Sequence, residues 1–224
     1  MNMTGGLPPP ESVTIRSRIP SDYHLLAQYH KYHPWIPNSD QIRPNPEIKA
    51  AKLKTIQDIE ATYRSSTDYI LSSVFRFPTI FDRYNNKMKI AGVSDAETFS
   101  SWSDQVLHTL FTNNPSIKPL QFAPNKFPYC LSGGGHHYVM WYSTNRLLKG
   151  DSEINHDITR CIKKDMQARG QKGKDFDFAW YVNPKMTVPQ LAHVQVFWAV
   201  LDGEGGAVQG GGGGREAAAG AAAG

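Results

Sequence analysis

The sequence predicts an α+β fold, in which helices come first and an antiparallel sheet with one inserted helix follows. Two observations support this prediction. Up to Phe111, apolar residues recur at the three- and four-residue intervals of amphipathic helices. From Gln121 onward, four short segments rich in aromatic and β-branched residues indicate strands, and a long amphipathic stretch among them indicates the inserted helix.

The helical half contains three predicted helices. The first starts at Asn45-Pro46, because proline is favoured in the first turn of a helix. The second covers residues 66–75 and is ended by Pro78. The third covers residues 95–111, and its inward side consists of Phe99, Trp102, Val106 and Leu110.

The second half supplies the sheet and the residues of chemical interest. The inserted helix is predicted at residues 153–169, and the strands at residues 121–123, 137–142, 176–182 and 193–201. Because alternate side chains of a strand point to opposite faces, His137 shares a face with Trp141, and His193 shares one with Gln195. If the intervening valines face the core, His193 and Gln195 face outward or into a cleft.

The composition predicts one domain with two unstructured ends. A chain of 224 residues that is 40% hydrophobic can bury a normal core. Residues 13–202 form the predicted domain, preceded by a flexible segment at residues 1–12 that contains three consecutive prolines. Residues 203–224 are rich in glycine and alanine, a composition that cannot offset its own ordering entropy, so we expect a disordered tail.

Charge and cysteine content narrow the class of protein. The 24 basic and 20 acidic residues are interspersed, a balance that permits a phosphate-bearing ligand but gives no reason to expect nucleic acid. The two cysteines form no disulfide framework, and no apolar run reaches the roughly 18 residues of a membrane span. We therefore expect a cytoplasmic protein without a membrane partner. No ligand spacing calls for a metal or cofactor.

Each strand histidine has two interpretations. A turn at Asn125-x-x-Pro128 and the triple glycine at residues 133–135 precede His137, and such a segment lets backbone approach a ligand closely. A neutral imidazole can attack phosphorus, transfer a proton or bind a metal. The alternative is a structural histidine, hydrogen-bonded within the sheet. The residues alone leave both open.

Over residues 42–200 the chain resembles an uncharacterised family that includes the fungal N-acetylglucosamine-induced proteins. The shared features, in chain order, are a charged helix before Tyr63, the run at residues 69–71, the Asn125/Pro128-Tyr129 phrase, His137 with Trp141, Asp151, an aromatic run ending at Asn183, and Thr187-Val188 before His193-x-Gln195. Two positions depart from the pattern. Phe127 stands where the fungal members have tryptophan, and Gln195 stands where they have histidine.

The same phrases look like the histidine triad superfamily of nucleotide hydrolases and transferases. This resemblance implies a histidine-triad-like core with an α-phosphate site formed by His137 and His193. It implies that His193 is the nucleophile and that Gln195 holds the nonbridging phosphate oxygens. It further implies a nucleotide pocket lined by Asn125, Tyr129 and Asn183.

A second register within that resemblance leads to a different function. His193 lies ten residues after Asn183, a spacing that fits the first histidine of the triad better than the central one. Gln195 then occupies the nucleophile's place, and glutamine cannot form the covalent intermediate. The two hypotheses are therefore a protein that binds, and hydrolyses or transfers, a nucleotide or nucleotide-sugar, and a non-enzymatic regulatory or interaction protein with a degenerate phosphate-binding cleft.

Overall fold

The computed structural model of the protein describes residues 16–18, 30, 35–36, 45–94, 102–131, 134–143, 150–183, 186 and 188–201. The predicted flexible ends at residues 1–12 and 203–224 lie outside these residues, as do residues 95–101, where the third predicted helix should begin. The described residues form helices and an essentially antiparallel sheet, which confirms the predicted α+β class.

The main sheet has five strands: β1 (Arg16–Arg18), β4 (Leu120–Pro124), β5 (His136–Tyr142), β6 (Phe176–Tyr181) and β7 (His193–Val200). Their spatial order is β1-β6-β7-β5-β4. The three pairings from β4 to β6 are antiparallel, as predicted, and all four of these strands match predicted segments. The sequence did not predict β1, which pairs parallel to β6 at the sheet edge.

In the described part of the chain, four helices accompany the sheet: α1 (Pro46–Thr62), α2 (Ser66–Ser73), α3 (Asp104–Thr112) and α4 (Asp151–Ala168). The α1 start is confirmed, because the Asn45 side chain accepts a hydrogen bond from the Ile48 N–H at 2.8 Å. The predicted start of the third helix at residue 95 lies outside the described residues, but one continuous helix over residues 95–111 is contradicted, because residues 102 and 103 are not helical. The Ser103 side chain caps the first turn by accepting from the Val106 N–H, so the helix begins at Asp104.

A separate hairpin, β2 (Thr79–Asp82) and β3 (Lys87–Ile90), was not predicted. Its turn residue Asn86 has a φ of 54°, in the left-handed region that asparagine tolerates better than most residues. The hairpin packs mainly through Ile90, which is fully buried beside α2. It therefore extends the layer that covers one side of the main sheet.

The two faces of the main sheet have different cover. One face packs on α4, and its core includes Tyr138, Trp180 and Val196. The opposite face packs on α2, α3 and β3 around Val139 and Trp141, and further along the sheet on Trp35 and Ile36. His137, His193 and Gln195 alternate with the α4-facing residues of their strands and so lie on this second face, between its two apolar clusters.

Candidate functional site

The candidate site is a buried polar layer on the second face of the sheet, where β5 and β7 run side by side. His137 is 5% exposed, His193 3% and Gln195 9%. In the antiparallel register Gln195 lies opposite Val139, so its side chain is diagonal to that of His137. The side chains nevertheless meet, because the Nε2 of His137 lies 2.8 Å from the Oε1 of Gln195.

The turn between β4 and β5 fixes the tautomer of His137. The backbone N–H of Tyr129 lies 3.0 Å from His137 Nδ1. Because a backbone N–H can only donate, Nδ1 is the acceptor and carries no proton. In neutral His137 the proton is therefore on Nε2, which donates to the Oε1 of Gln195.

A second backbone N–H fixes Asn125. The N–H of Phe127 donates to the Oδ1 of Asn125 at 2.8 Å, which leaves the Asn125 amide nitrogen to donate to Gln195 Oε1 at 3.0 Å. The Asn125 Nδ2 also lies 3.1 Å from His137 Nε2, but both atoms are donors in this arrangement, so that contact is not a hydrogen bond. Both predicted residues are thus held by the turn that precedes β5.

The network converges on the side chain of Gln195. Its carbonyl oxygen has two lone pairs and accepts from both Asn125 and His137. These two bonds set the orientation of the Gln195 amide. In the reversed orientation its NH₂ group would face the donor nitrogens of Asn125 and His137. The Gln195 Nε2 has no hydrogen-bond partner within the described part of the chain, so its N–H groups can donate to a ligand.

Burial keeps His137 uncharged at neutral pH. Removal of the ring from water lowers its pKa to about 4, although the hydrogen bond to Gln195 opposes this shift in part. A second proton on Nδ1 would also point at the Tyr129 N–H. His137 therefore positions Gln195 and orders the preceding turn, with both ring nitrogens engaged.

His193 is held differently, by a backbone carbonyl. Its Nδ1 lies 2.8 Å from the carbonyl oxygen of Leu191, which can only accept, so the Nδ1 carries the proton and the Nε2 carries the lone pair. The ring stacks on Trp141, with centroids 4.3 Å apart. No hydrogen bond to the Nε2 occurs among the described residues. Burial lowers the pKa of His193, and the Leu191 carbonyl opposes that shift in part.

The remaining predicted residues flank this layer. Tyr129 packs its ring against His137 and Phe197, and its hydroxyl lies 3.3 Å from that of Tyr181. Asn183 is half-buried and lies just beyond the end of β6. The neighbouring antiparallel strand β7 begins with His193 at the same end of the sheet. Asn125, Tyr129, His137 and Gln195 thus form one contact network, and His193 and Asn183 lie at its β7 end.

Three participants were missed by sequence reasoning: Tyr181, Trp141 as a stacking partner, and the Leu191 carbonyl. Tyr181 belongs to the predicted aromatic strand, but only the strand order brings it beside Tyr129. The Leu191 carbonyl left no sequence signal at all, because every residue type carries one.

Other chemistry is not indicated by the described residues. No group of three histidine, cysteine or carboxylate side chains there is arranged to hold a metal ion. Cys130 is exposed and Cys161 is half-buried, and both are free thiols. No helix in the described ranges is both long and apolar enough to cross a membrane.

Comparison with known proteins adds little to this description. No protein-family model matches the chain, and no curated protein matches it. Among solved structures, the chain is similar to a crystal structure of HTC1, with 13% identity over 70% of this chain and 76% of that chain and a TM-score of 0.35. A similarity of that size supports no conclusion on fold or function.

Proposed function

We propose that this protein binds a nucleotide or nucleotide-sugar through a phosphate group at the His193 and Gln195 end of the polar layer. One observation supports this function best. Gln195 Nε2 and His193 Nε2 lie on the same face of β7, two residues and roughly 7 Å apart along the strand, and neither has a hydrogen-bond partner among the described residues. The amide N–H groups of Gln195 are suitable donors to phosphate oxygens, whereas the His193 Nε2 presents a lone pair towards the same ligand.

The geometry of Gln195 favours recognition because it is fixed before a ligand arrives. Two backbone N–H groups, of Phe127 and Tyr129, set the orientations of Asn125 and His137, and these set that of Gln195. Donors held in place by such a chain lose little conformational entropy on binding. This is also the role that the resemblance to the histidine triad superfamily implies for Gln195.

A catalytic step at this site would use His193. The Nε2 lone pair would attack the α-phosphorus to form an N–P bond, while the bond from phosphorus to the leaving-group oxygen breaks and that oxygen takes a proton from solvent. Water would then hydrolyse the N–P bond, or an acceptor hydroxyl would take the nucleotidyl group. The donation from Nδ1 to Leu191 supports this role, because it keeps the lone pair on Nε2.

Family membership is part of the same proposal. The phrases shared with the fungal N-acetylglucosamine-induced proteins supply the residues of this layer: Asn125, Tyr129, His137, His193 and Gln195. We propose that the chain is a member of that family in which an amide replaces the second imidazole of the last strand.

A non-enzymatic role is the second candidate, and the burial of the layer favours it. With 3% of His193 and 9% of Gln195 exposed, these side chains offer a ligand little contact surface. A closed polar layer can also serve to fix the strand register, as other buried hydrogen-bond networks do. In that case the protein would act through its surface as a regulatory or interaction protein.

Ligand binding can be tested by thermal stabilisation of the full chain with a panel of nucleoside monophosphates, nucleoside diphosphates and UDP-sugars. A bound ligand at 100 times its Kd should stabilise the fold by about 2.7 kcal/mol. The matched variant is Gln195→Glu, which keeps two acceptor positions for Asn125 and His137 but loses the N–H donors and repels phosphate. We expect stabilisation of the wild type only. No shift with any ligand at millimolar concentration would refute binding.

Catalysis can be tested separately by labelling with nucleotides that carry ³²P at the α-phosphate. His193→Asn is the matched variant, because its amide can still donate to the Leu191 carbonyl while the Nε2 is lost. The catalytic proposal expects acid-labile label on the wild type and none on His193→Asn. Binding without any label would select the non-enzymatic alternative, and label retained on His193→Asn would exclude His193 as the nucleophile.

A further inference from the structure

A cavity of about 470 Å³ lies at the turn that joins α4 to β6, on the α4 side of the sheet. It is therefore on the opposite face from the polar layer of His137 and Gln195. Its size is within the range of small-molecule sites, which is roughly 300 to 1,000 Å³. The lining includes Lys163, Met166, Gln171, Lys172, Lys174 and Phe176.

The cavity is positively charged. Three lysines line it, and all three are exposed, against one aspartate, Asp175. The Asp175 carboxylate is engaged by the Phe176 N–H at 2.9 Å. None of the three lysines forms an ion pair within the described part of the chain. Three ammonium groups against one carboxylate leave the lining with a net positive charge, which attracts an anion.

Lysines near a helix C-terminus often serve to neutralise its carbonyl groups, but here backbone N–H groups already bond two of the last three carbonyls. The Met166 carbonyl accepts from the N–H groups of Arg169 and Gln171, and the Gln167 carbonyl accepts from the Gly170 N–H. Lys172 and Lys174 also follow the helix, in a turn that contains the positive-φ residue Gly173. Helix capping therefore does not account for them.

The cavity wall also contains an unused hydrogen-bonding group. The side-chain oxygen of Gln171 is buried, and no donor reaches it among the described residues. A buried acceptor without a partner is destabilising, so a ligand hydroxyl that donates to this oxygen would relieve the penalty. The floor beneath is apolar, since Met166 and Phe176 are buried.

We propose that this cavity is a second ligand site, which takes a phosphorylated small molecule that also carries hydroxyl groups. Its phosphate oxygens contact the ammonium groups of Lys163, Lys172 and Lys174, and a hydroxyl donates to Gln171. Sugar phosphates and nucleotides have this chemistry. The site does not depend on the function proposed for His193 and Gln195.

The test measures binding of ADP to the ¹⁵N-labelled full chain by backbone amide shifts at low ionic strength. The triple variant Lys163→Gln/Lys172→Gln/Lys174→Gln should bind ADP at least about tenfold more weakly, a loss of about 1.4 kcal/mol. The matched control, Lys49→Gln/Lys52→Gln/Lys54→Gln, removes the same charge from exposed lysines of α1 and should stay within about twofold. The shifts should centre on residues 163–176.

The Gln171 contact has its own test. Replacement Gln171→Met should weaken ADP binding but leave 2′,3′-dideoxy-ADP binding unchanged, since the latter lacks the ribose hydroxyls. Equal weakening in the two triple variants, no shifts within residues 163–176, or no binding of ADP at millimolar concentration would overturn the site. His193→Asn should leave this binding unchanged, so failure of the β7 site and failure of this cavity give different results.

Discussion

Acidification from pH 7.5 to 5.0 should destabilise this protein through His137, the residue that links the β4–β5 turn to Gln195. The folded protein holds the ring neutral, with Nδ1 accepting from Tyr129 and Nε2 donating to Gln195. A proton added to Nδ1 removes the first of these bonds. The unfolded chain has no such constraint, so its His137 titrates at the ordinary pKa.

The magnitude follows from the two pKa values. Burial lowers the pKa of His137 from 6.5 to about 4 in the folded protein. Between these values the unfolded state binds more protons, so the free energy of unfolding decreases as the pH falls below 6.5 and levels off below about 4. From pH 7.5 to 5.0 the loss due to His137 is about 2 kcal/mol, and its limit is about 3 kcal/mol.

Urea unfolding followed by tryptophan fluorescence at the two pH values measures this loss, because Trp180 and Trp198 are fully buried. Two variants replace the titrating imidazole of His137 by an amide. His137→Asn retains an acceptor for the Tyr129 N–H, whereas His137→Gln retains a donor towards Gln195. Each should lose about 2 kcal/mol less than the wild type between pH 7.5 and 5.0.

The comparison isolates His137 because the other buried histidine, His193, is present in all the proteins, and its lowered pKa acts in the same direction. His108→Gln, at an exposed position of α3, is the control and should retain the pH dependence of the wild type. If both His137 variants show the same pH dependence as the wild type, the ring is not held neutral by this network, and the tautomer assignment is wrong.

Three further predictions concern single contacts, each measured by urea unfolding at pH 7.5. Asn125→Ala should cost roughly 1 to 3 kcal/mol, because one of two donors to Gln195 is lost; an unchanged midpoint would contradict the network. Asp68→Ala should cost roughly 3 kcal/mol or more, since this fully buried carboxylate accepts from the Ile90 N–H and pairs with Arg64. A loss below about 1 kcal/mol would contradict this role of the carboxylate. Asn45→Ala should cost about 1 kcal/mol, because the N-cap of α1 is lost, and it should speed amide hydrogen exchange in the first turn of α1. Unchanged exchange there would contradict the capping role of Asn45.

The elements that sequence reasoning located correctly are those with strong local signals. Asn45-Pro46 marks the α1 start because both residues act within one turn of the helix. The strands β5 and β7 were predicted because their aromatic and β-branched content matches a buried sheet. The non-helical residues before α3 were not predicted, because apolar spacing alone does not reveal that Ser103 caps the helix.

The elements that were missed depend on distant partners. The three residues of β1 form a strand only beside β6, and nothing in so short a segment signals the pairing. For the site, alternation along β7 predicted that His193 and Gln195 share a face. It did not predict that this face is covered, because the covering layer comes from α2, α3 and the unpredicted hairpin.

The amide at Gln195 is chemically suited to its position in a way that an imidazole is not. Its oxygen accepts two hydrogen bonds, from Asn125 and His137, and its nitrogen still has donors for a ligand. A neutral imidazole has one acceptor nitrogen, so a histidine here would leave either Asn125 or His137 without its acceptor. The departure from the fungal proteins that the chain resembles is therefore matched by its surroundings. This arrangement supports our proposal that Gln195 recognises phosphate, and in that proposal any proton transfer or nucleophilic attack belongs to His193 alone.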